Sequence, residues 1–196
     1  LDHLAGTPLA PEVREAMRPF LEEDFTGNPG SLHGRGLAAR EALEKAREQC
    51  AQFIHATPGD ILFTGSGTEA NNLAVKGAAF AQRERGNHIV LSNIEHPSID
   101  RSVAWLEENG FVATRVGVDG EGRVAPNDVA KAITDQTILI ATHHASHDLG
   151  TVQDVEAIGA IAVERGVPLL IDATASGGWL PINVQAANIS LLSLAP

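Results

Sequence analysis

The run from residue 65 to residue 72, Gly-Ser-Gly-Thr-Glu-Ala-Asn-Asn, has the composition of a turn that could bind phosphate. A short apolar run precedes it at residues 61–64 and predicts a buried strand. Apolar residues at helical spacing follow it, at Leu73, Ala74, Ala78 and Ala79. A glycine-rich turn between a strand and a helix leaves backbone N–H groups free at the positive end of the helix dipole, where an anion is stabilised.

Two residues of this run mark where the helix begins. Ser66 and Glu69 have the spacing of a capping box. The next two backbone N–H groups, of Gly67 and Thr68, are then the candidate phosphate donors, with the Thr68 hydroxyl as a further donor. A helix that is merely well capped, with no ligand, is the alternative interpretation of the same residues.

Polar side chains follow two other predicted strands at their carboxyl ends. Glu95 and His96 come after the strand at 88–92, and Asp172 closes the strand at 167–172. Ligands of open α/β sheets bind outside the carboxyl ends of the strands, so these groups are expected to lie near the phosphate turn. Taken singly, His96 also fits a turn residue and Asp172 a helix cap or an ion-pair partner.

A phosphate turn, a flat imidazole and a buried carboxylate together suit a planar, phosphorylated, basic heterocycle, and pyridoxal phosphate fits that description. Its phosphate would accept hydrogen bonds from Gly67 and Thr68, and the His96 ring would stack on the pyridine. Asp172 would keep the pyridine nitrogen protonated, which makes the ring a better electron sink for a carbanion at the substrate α-carbon.

Composition excludes several other classes of function. The chain has 14 Lys+Arg and 25 Asp+Glu, and a net charge of -11 disfavours binding to nucleic acid or to anionic membranes. It has no apolar run of about 18 residues, and its start at Leu1 lacks the basic region and apolar core of a signal peptide. One cysteine, Cys50, allows no internal disulfide. We therefore expect a cytoplasmic protein.

Helical and strand patterns alternate along the chain after an extended lead-in at residues 1–10. Further helices are predicted at 11–23, 37–54, 97–109, 126–133 and 154–165, and further strands at 88–92, 111–116, 137–142, 167–172 and 189–194. Several of these strands are apolar on both faces, which predicts a mostly parallel sheet with helices on both faces, a three-layer α/β architecture. The absence of linkers and repeats favours one domain over residues 1–196.

Several motifs give the chain a resemblance to a known family. They are Gly-Asn-Pro-Gly-Ser-Leu-His at 27–33, the run at 63–74 that contains the phosphate turn, Glu-His-Pro at 95–97, Gly-Thr-Val-Gln-Asp at 150–154 and Ile-Asp-Ala-Thr at 171–174. In this order they resemble the large domain of a cysteine desulfurase, in the class V branch of the fold-type-I pyridoxal phosphate enzymes. The resemblance runs from Leu1 to the last residue.

The resemblance implies a role for each candidate site residue. It implies phosphate contacts at Gly67 and Thr68, stacking and proton transfer at His96 as the catalytic group, and a pyridinium partner at Asp172. The family's asparagine that hydrogen-bonds the phenolic oxygen of the cofactor is replaced by His147, a bulkier group that can still donate one hydrogen bond when neutral.

Two other positions depart from the family, and one lies beyond the sequence. Ala175 stands where the family has a cofactor-binding glutamine, and Ala195 where it has a phosphate-binding serine. The lysine that forms the Schiff base is expected two residues beyond Pro196, and the small domain and the sulfur-accepting cysteine are also absent from this chain. Cys50 does not match that cysteine. We therefore expect these 196 residues to be inactive by themselves.

A cluster of histidines invites a metal-site interpretation. His143 and His147 share a face only if their segment is helical, and the position between a strand and Gly150 favours a loop. We therefore predict no metal site, and expect His143, His144, His147 and Asp148 to line the mouth of the cofactor site.

The resemblance implies a homodimeric enzyme that moves sulfur from L-cysteine to an enzyme cysteine as persulfide and releases L-alanine. The sulfur would pass to an iron–sulfur scaffold or to another sulfur-acceptor protein. Two alternatives stay open. One is a non-catalytic relative that serves as a binding or assembly subunit, and the other is a class V lyase or transaminase for a different amino acid.

Overall fold

The computed structural model describes residue 6, residues 8–21 and residues 27–195. The chain divides into two compact units, Leu1–Ile61 and Leu62–Pro196. None of the helices in the described part of the chain is both long enough and apolar enough to cross a membrane.

The first unit is helical. Helix α1 spans Pro11–Leu21, α2 spans Gly34–Ile54, and a short 3₁₀ turn follows at Pro58–Asp60. The predicted end of α1, at 22–23, lies outside the described residues, as does most of the predicted extended segment at 1–10. Helix α2 begins at Gly34 and not at 37, because Nδ1 of His33 accepts a hydrogen bond from the Gly36 N–H (3.2 Å) and caps an additional turn.

The second unit contains a five-stranded sheet and four helices. The helices are α3 Gly67–Ala81, α4 Pro97–Glu107, α5 Pro126–Ala132 and α6 Val155–Arg165, and the strands are β1 His88–Ser92, β2 Val112–Val116, β3 Thr137–His143, β4 Leu169–Asp172 and β5 Leu191–Ser193. Each corresponds to a predicted element, and the bounds differ by at most two residues except for α3, of which the sequence predicts only the start. Helix α6 ends at Gly166, which takes the left-handed conformation (φ 61°) that glycine adopts without strain.

The sheet order is β2-β1-β3-β4-β5, and the four neighbouring pairs are all parallel. The chain leaves β1 for β2 on one side and returns to place β3 on the other side of β1. The gap between β1 and β3 is therefore the switch point of the topology, where ligands of such sheets bind at the carboxyl ends of the strands.

Apolar residues alternate between two cores, one on each face of the sheet. On one face Ile89 and Leu91 pack with α3 and α4. On the other, Val90 packs with residues of α5 and α6, such as Val129 and Ile158. Strands β1, β3 and β4 are buried along their whole length, which confirms the prediction of a parallel sheet between two helical layers.

The predicted strand at residues 61–64 is wrong. These residues pair with no described strand, and the side chains of Leu62 and Phe63 are 66% and 44% exposed. A short apolar run becomes a strand only where a neighbouring strand can pair with its backbone, which local pattern does not reveal. The segment is a connection to α3 without regular secondary structure.

Candidate active site

Helix α3 begins at the glycine-rich turn, as predicted. Ser66 is its N-cap, and the Ser66 Oγ accepts a hydrogen bond from the Glu69 N–H (3.1 Å). The Glu69 carboxylate reaches one residue further back than in a standard capping box and accepts from the Gly65 N–H (2.6 Å). Both sides of the turn are therefore held in place by side chains.

The backbone N–H groups of Gly67 and Thr68 donate to no acceptor among the described residues, and neither does the Thr68 hydroxyl. They lie at the positive end of a 15-residue helix. The turn therefore offers three unused donors to an anion of phosphate size.

The turn lies close to the ends of two strands. A Cβ at Gly67 would fall 2.7 Å from Cγ2 of Thr174, which follows β4, and 3.7 Å from Cβ of Ala195, which follows β5. Glycine is needed here because any side chain would displace Thr174. Ala195 occupies the position at which the resemblance expects a phosphate-binding serine, and its methyl group can donate no hydrogen bond.

Asp172 is the last residue of β4 and is 4% exposed. One carboxylate oxygen, Oδ1, accepts hydrogen bonds from the N–H (2.9 Å) and the hydroxyl (2.7 Å) of Thr174. The other, Oδ2, accepts from Nδ2 of Asn71 (2.8 Å). A carboxylate has about four lone-pair sites, so one remains for a further donor such as the N–H of a protonated heterocycle.

His96 is the N-cap of α4. Its Nδ1 accepts a hydrogen bond from the Ser98 N–H (3.1 Å) and lies 2.7 Å from the Ser98 hydroxyl. The other ring nitrogen, Nε2, has no hydrogen-bond partner among the residues that the structure describes. The ring also meets that of His147 edge to face, with centroids 5.0 Å apart.

Two residues that sequence reasoning missed connect these groups. Nδ2 of Asn71 donates to Asp172 and also lies 2.9 Å from the Ser98 hydroxyl, so a continuous buried path runs from Asp172 through Asn71 and Ser98 to His96. Asn71 shares the buried face of α3 with Val75 and Ala79. A lone amide on an otherwise apolar helical stripe is the signal that could have singled it out.

His147 lies in the turn after β3, as a loop interpretation of this segment predicts, and residues 144–154 contain no helix. The side chain is 31% exposed, and its Nε2 lies 3.4 Å from Oδ2 of Asp148. The structure therefore brings His147 to His96, while Asp148 is directed largely to solvent. Within the described residues, no three side chains of metal-binding type come together.

The two neighbouring histidines do not line an open mouth, contrary to the sequence-based expectation. His143 and His144 are 3% and 7% exposed. Nδ1 of His143 lies 3.0 Å from Oε1 of Glu95, and Nδ1 of His144 lies 3.0 Å from the Ser176 hydroxyl. Burial lowers the pKa of His144, and the neighbouring His143 lowers it further. Both side chains are therefore interior and in contact with other buried polar groups.

The fold is a parallel α/β fold with polar groups gathered at the carboxyl ends of the strands. Residues 1–195 match the family described as aminotransferase class-V. The chain therefore belongs to the class-V aminotransferase family, and its sheet is the large-domain sheet of the fold-type-I architecture.

Proteins similar to this chain carry one recurrent name. The chain is 44% identical over 195 residues to the cysteine desulfurase IscS of Dictyoglomus turgidum. The aligned region covers 100% of the chain and 49% of that protein. It is 43% identical to the cysteine desulfurase IscS of Methanosarcina thermophila, with 100% of the chain and 48% of that protein covered. The chain thus spans about half the length of the curated relatives it matches.

Solved structures agree with these relatives. A structure described as SspA in complex with cysteine superposes with a TM-score of 0.94 at 39% identity, over 99% of this chain and 56% of the other. The apo structure of a cysteine desulfurase from Thermococcus onnurineus NA1 superposes with a TM-score of 0.88 at 30% identity, over 99% of this chain and 48% of the other.

Pyridoxal phosphate is the cofactor of this family, and the described residues fit it. The Gly67 turn offers unused donors for a phosphate, and Asp172 keeps one acceptor site open for a ring N–H. His96 adds an imidazole joined to that carboxylate by hydrogen bonds. The side chains of Ala175 and Ala195 offer the cofactor no hydrogen-bond donor, so more of the cofactor binding depends on the α3 turn.

Proposed function

We propose that the protein is a pyridoxal phosphate-dependent cysteine desulfurase-like enzyme. It takes sulfur from L-cysteine, passes it as persulfide to a cysteine of the enzyme, and releases L-alanine. The observation that carries this proposal is one arrangement at the carboxyl ends of the strands. The Asp172 carboxylate and the His96 imidazole belong to one hydrogen-bonded network, and the α3 helix that supplies Asn71 to this network begins with the free amides of the turn. The name cysteine desulfurase, carried by relatives at 43–44% identity, supports L-cysteine as the substrate.

The bound cofactor supplies an electron sink for the negative charge that develops at the α-carbon of an amino acid. The protein's residues would hold it in three ways. The amides of Gly67 and Thr68 and the Thr68 hydroxyl would bind the phosphate. Asp172 would accept a hydrogen bond from the ring N–H through its remaining lone pair, and a negative charge at that place favours the protonated ring.

His96 would cover one face of the cofactor ring and present Nε2 to the substrate, because Nδ1 is occupied by the cap of α4. His147 would take the role of the family's asparagine and donate one hydrogen bond to the phenolic oxygen of the cofactor. Its edge-to-face contact with His96 supports a position beside the same ring.

The wider context of the activity is part of the same proposal. The enzyme would work as a cytoplasmic homodimer and deliver sulfur to an iron–sulfur scaffold or another acceptor protein. The name IscS of several relatives supports a sulfur-supply role. The net charge of -11 supports a small-molecule or protein partner over nucleic acid.

The test uses the full-length protein incubated with pyridoxal phosphate and freed of excess cofactor. We expect a visible absorption band from bound cofactor, and release of alanine and sulfide in equal amounts from L-cysteine with a thiol reductant. Asp172→Ala should lose most of the band and the activity. Asp128→Ala, a change at an exposed carboxylate of α5, is the matched control and should keep both.

Two outcomes would overturn the proposal. Failure of the full-length protein to retain cofactor would favour a binding or assembly subunit, which the changes at His147, Ala175 and Ala195 would then explain. Bound cofactor without alanine from cysteine would indicate another class V reaction, and product analysis over a panel of amino acids would identify it.

A further inference from the structure

The side-chain amide of Asn71 has only one orientation that its neighbours accept. It is 1% exposed, and Nδ2 lies 2.8 Å from Oδ2 of Asp172 and 2.9 Å from Oγ of Ser98. Turning the amide over would place its oxygen against the Asp172 carboxylate, with two acceptors in contact. The two hydrogens of the NH₂ group therefore go to Asp172 and to Ser98. The buried Oδ1 is left without a donor among the described residues.

This orientation decides the direction of the next hydrogen bond. The Ser98 hydroxyl accepts from Asn71, so its own proton is available to another acceptor, and Nδ1 of His96 lies 2.7 Å away. The hydroxyl of Ser102 donates to the Ser98 backbone carbonyl and does not compete for that proton. The chain of donors therefore runs from Asn71 through Ser98 to His96.

Nδ1 of His96 then receives two hydrogen bonds, one from the Ser98 hydroxyl and one from the Ser98 backbone N–H at 3.1 Å. A ring nitrogen that accepts hydrogen bonds carries no proton of its own. The proton of the neutral imidazole is therefore on Nε2, the nitrogen left free to meet a ligand.

We propose that Asn71 and Ser98 are positioning residues that fix the tautomer of His96 and tie it to Asp172. In its resting state His96 then offers a hydrogen-bond donor at Nε2 and has no lone pair there to accept a proton. The ligand atom that meets Nε2 must be an acceptor, such as a thiolate sulfur or a carboxylate oxygen. That last consequence rests on the proposed function, whereas the tautomer does not.

The tautomer can be read directly by nitrogen NMR. The full-length protein, free of cofactor, is labelled with ¹⁵N in the histidine rings and observed at about pH 8, above the ordinary histidine pKa of about 6.5. Signals of His96 are assigned by their loss in His96→Gln. We expect a bare Nδ1 and a protonated Nε2, and the opposite pattern would overturn the proposal even if no variant were stable.

Variants then test whether the two residues cause this state. Asn71→Ala frees the direction of the Ser98 hydroxyl and Ser98→Ala removes that hydroxyl, while the Ser98 backbone N–H still donates to Nδ1. Each variant should therefore move the two His96 nitrogen shifts part of the way towards each other, as expected when a minority of the other tautomer becomes populated. Ser98→Thr keeps the hydroxyl and should restore the pattern of the native protein. Ser102→Ala is the matched control, since it removes a buried hydroxyl of the same helix that does not contact His96.

A purely structural role for Asn71 and Ser98 would lower stability and leave the His96 shifts unchanged, and that result would contradict the proposal. The experiment is independent of desulfurase activity. If no alanine is formed from cysteine but the tautomer is as expected, the proposed function fails and the positioning role stands.

Discussion

Glu95 and His143 form a pair inside the protein: Nδ1 of His143 lies 3.0 Å from Oε1 of Glu95, and the two side chains are 3% and 0% exposed for His143 and Glu95. The same carboxylate oxygen accepts from the His143 backbone N–H (3.2 Å) and from the Ser92 hydroxyl. The contact joins the carboxyl ends of β1 and β3 at the switch point of the sheet. Because Glu95 precedes His96, it also fixes the segment that carries that histidine.

The first prediction concerns the stability of this pair. Glu95→Ala should lower the free energy of unfolding by about 2–4 kcal/mol, because it leaves Nδ1 of the buried His143 and the Ser92 hydroxyl without their shared acceptor. Glu121→Ala, at a carboxylate 71% exposed, should change it by less than about 0.5 kcal/mol. Urea unfolding of both variants measures the difference, and similar values would show that the pair contributes nothing.

A second prediction concerns the phosphate turn. Gly67→Ala places a methyl group against Thr174, whose hydroxyl and N–H hold Asp172. Affinity for pyridoxal phosphate should fall about tenfold, which corresponds to about 1.4 kcal/mol. Fluorescence titration of the cofactor-free, full-length protein measures it. Adding Thr174→Ser removes the obstructing methyl and should recover part of the affinity. An affinity of Gly67→Ala equal to that of the native protein would contradict the expected collision.

Two glycines in helices should respond in opposite directions to alanine. A Cβ at Gly159 of α6 would fall 1.9 Å from the backbone oxygen of Ala187, so Gly159→Ala should cost about 3 kcal/mol or more through a forced backbone shift. A Cβ at Gly77 of α3 would meet nothing within 4 Å, and Gly77→Ala should stabilise by about 0.5–1 kcal/mol. Thermal unfolding of the two variants provides the comparison, and equal midpoints would exclude this account.

Stability should fall on mild acidification because of His88. This side chain is 6% exposed and hydrogen-bonded to Thr137 (2.8 Å) and Thr114 (2.9 Å), and burial lowers its pKa. A histidine whose folded pKa is lowered stabilises fully above its unfolded pKa of about 6.5 and loses that contribution as the pH falls through the folded value.

The measurement is the urea midpoint of the native protein and of His88→Gln between about pH 7.5 and pH 5. The native midpoint should drop on acidification, and the drop should be smaller in His88→Gln. Part of it should persist, because the pKa of His144 is lowered in the same direction. An equal drop of the urea midpoint in both proteins would show that His88 does not cause the loss of stability at low pH.

Local pattern predicted the elements whose signals are contained in a few neighbouring residues. Strand β1 follows from the aliphatic run at residues 89–91, and the start of α3 follows from Ser66 and Glu69. Residues 61–64 have a similar apolar character but form no strand, because pairing depends on a partner that is distant in sequence. The sequence pattern also does not show which histidines are exposed. In the structure His143 is interior, whereas His147 is partly exposed.

The sequence by itself determined the alternation of strands and helices, the free amides of the α3 turn, and the two polar residues at strand ends, His96 and Asp172. These follow from periodicity, capping and the rule that ligands meet the carboxyl ends of parallel strands. Only the tertiary structure decided that Asn71 joins Asp172 to Ser98, across 101 and 27 positions of the chain. The direction of a hydrogen bond depends on every neighbour that a buried group meets, and those neighbours are brought together only when the sheet is assembled.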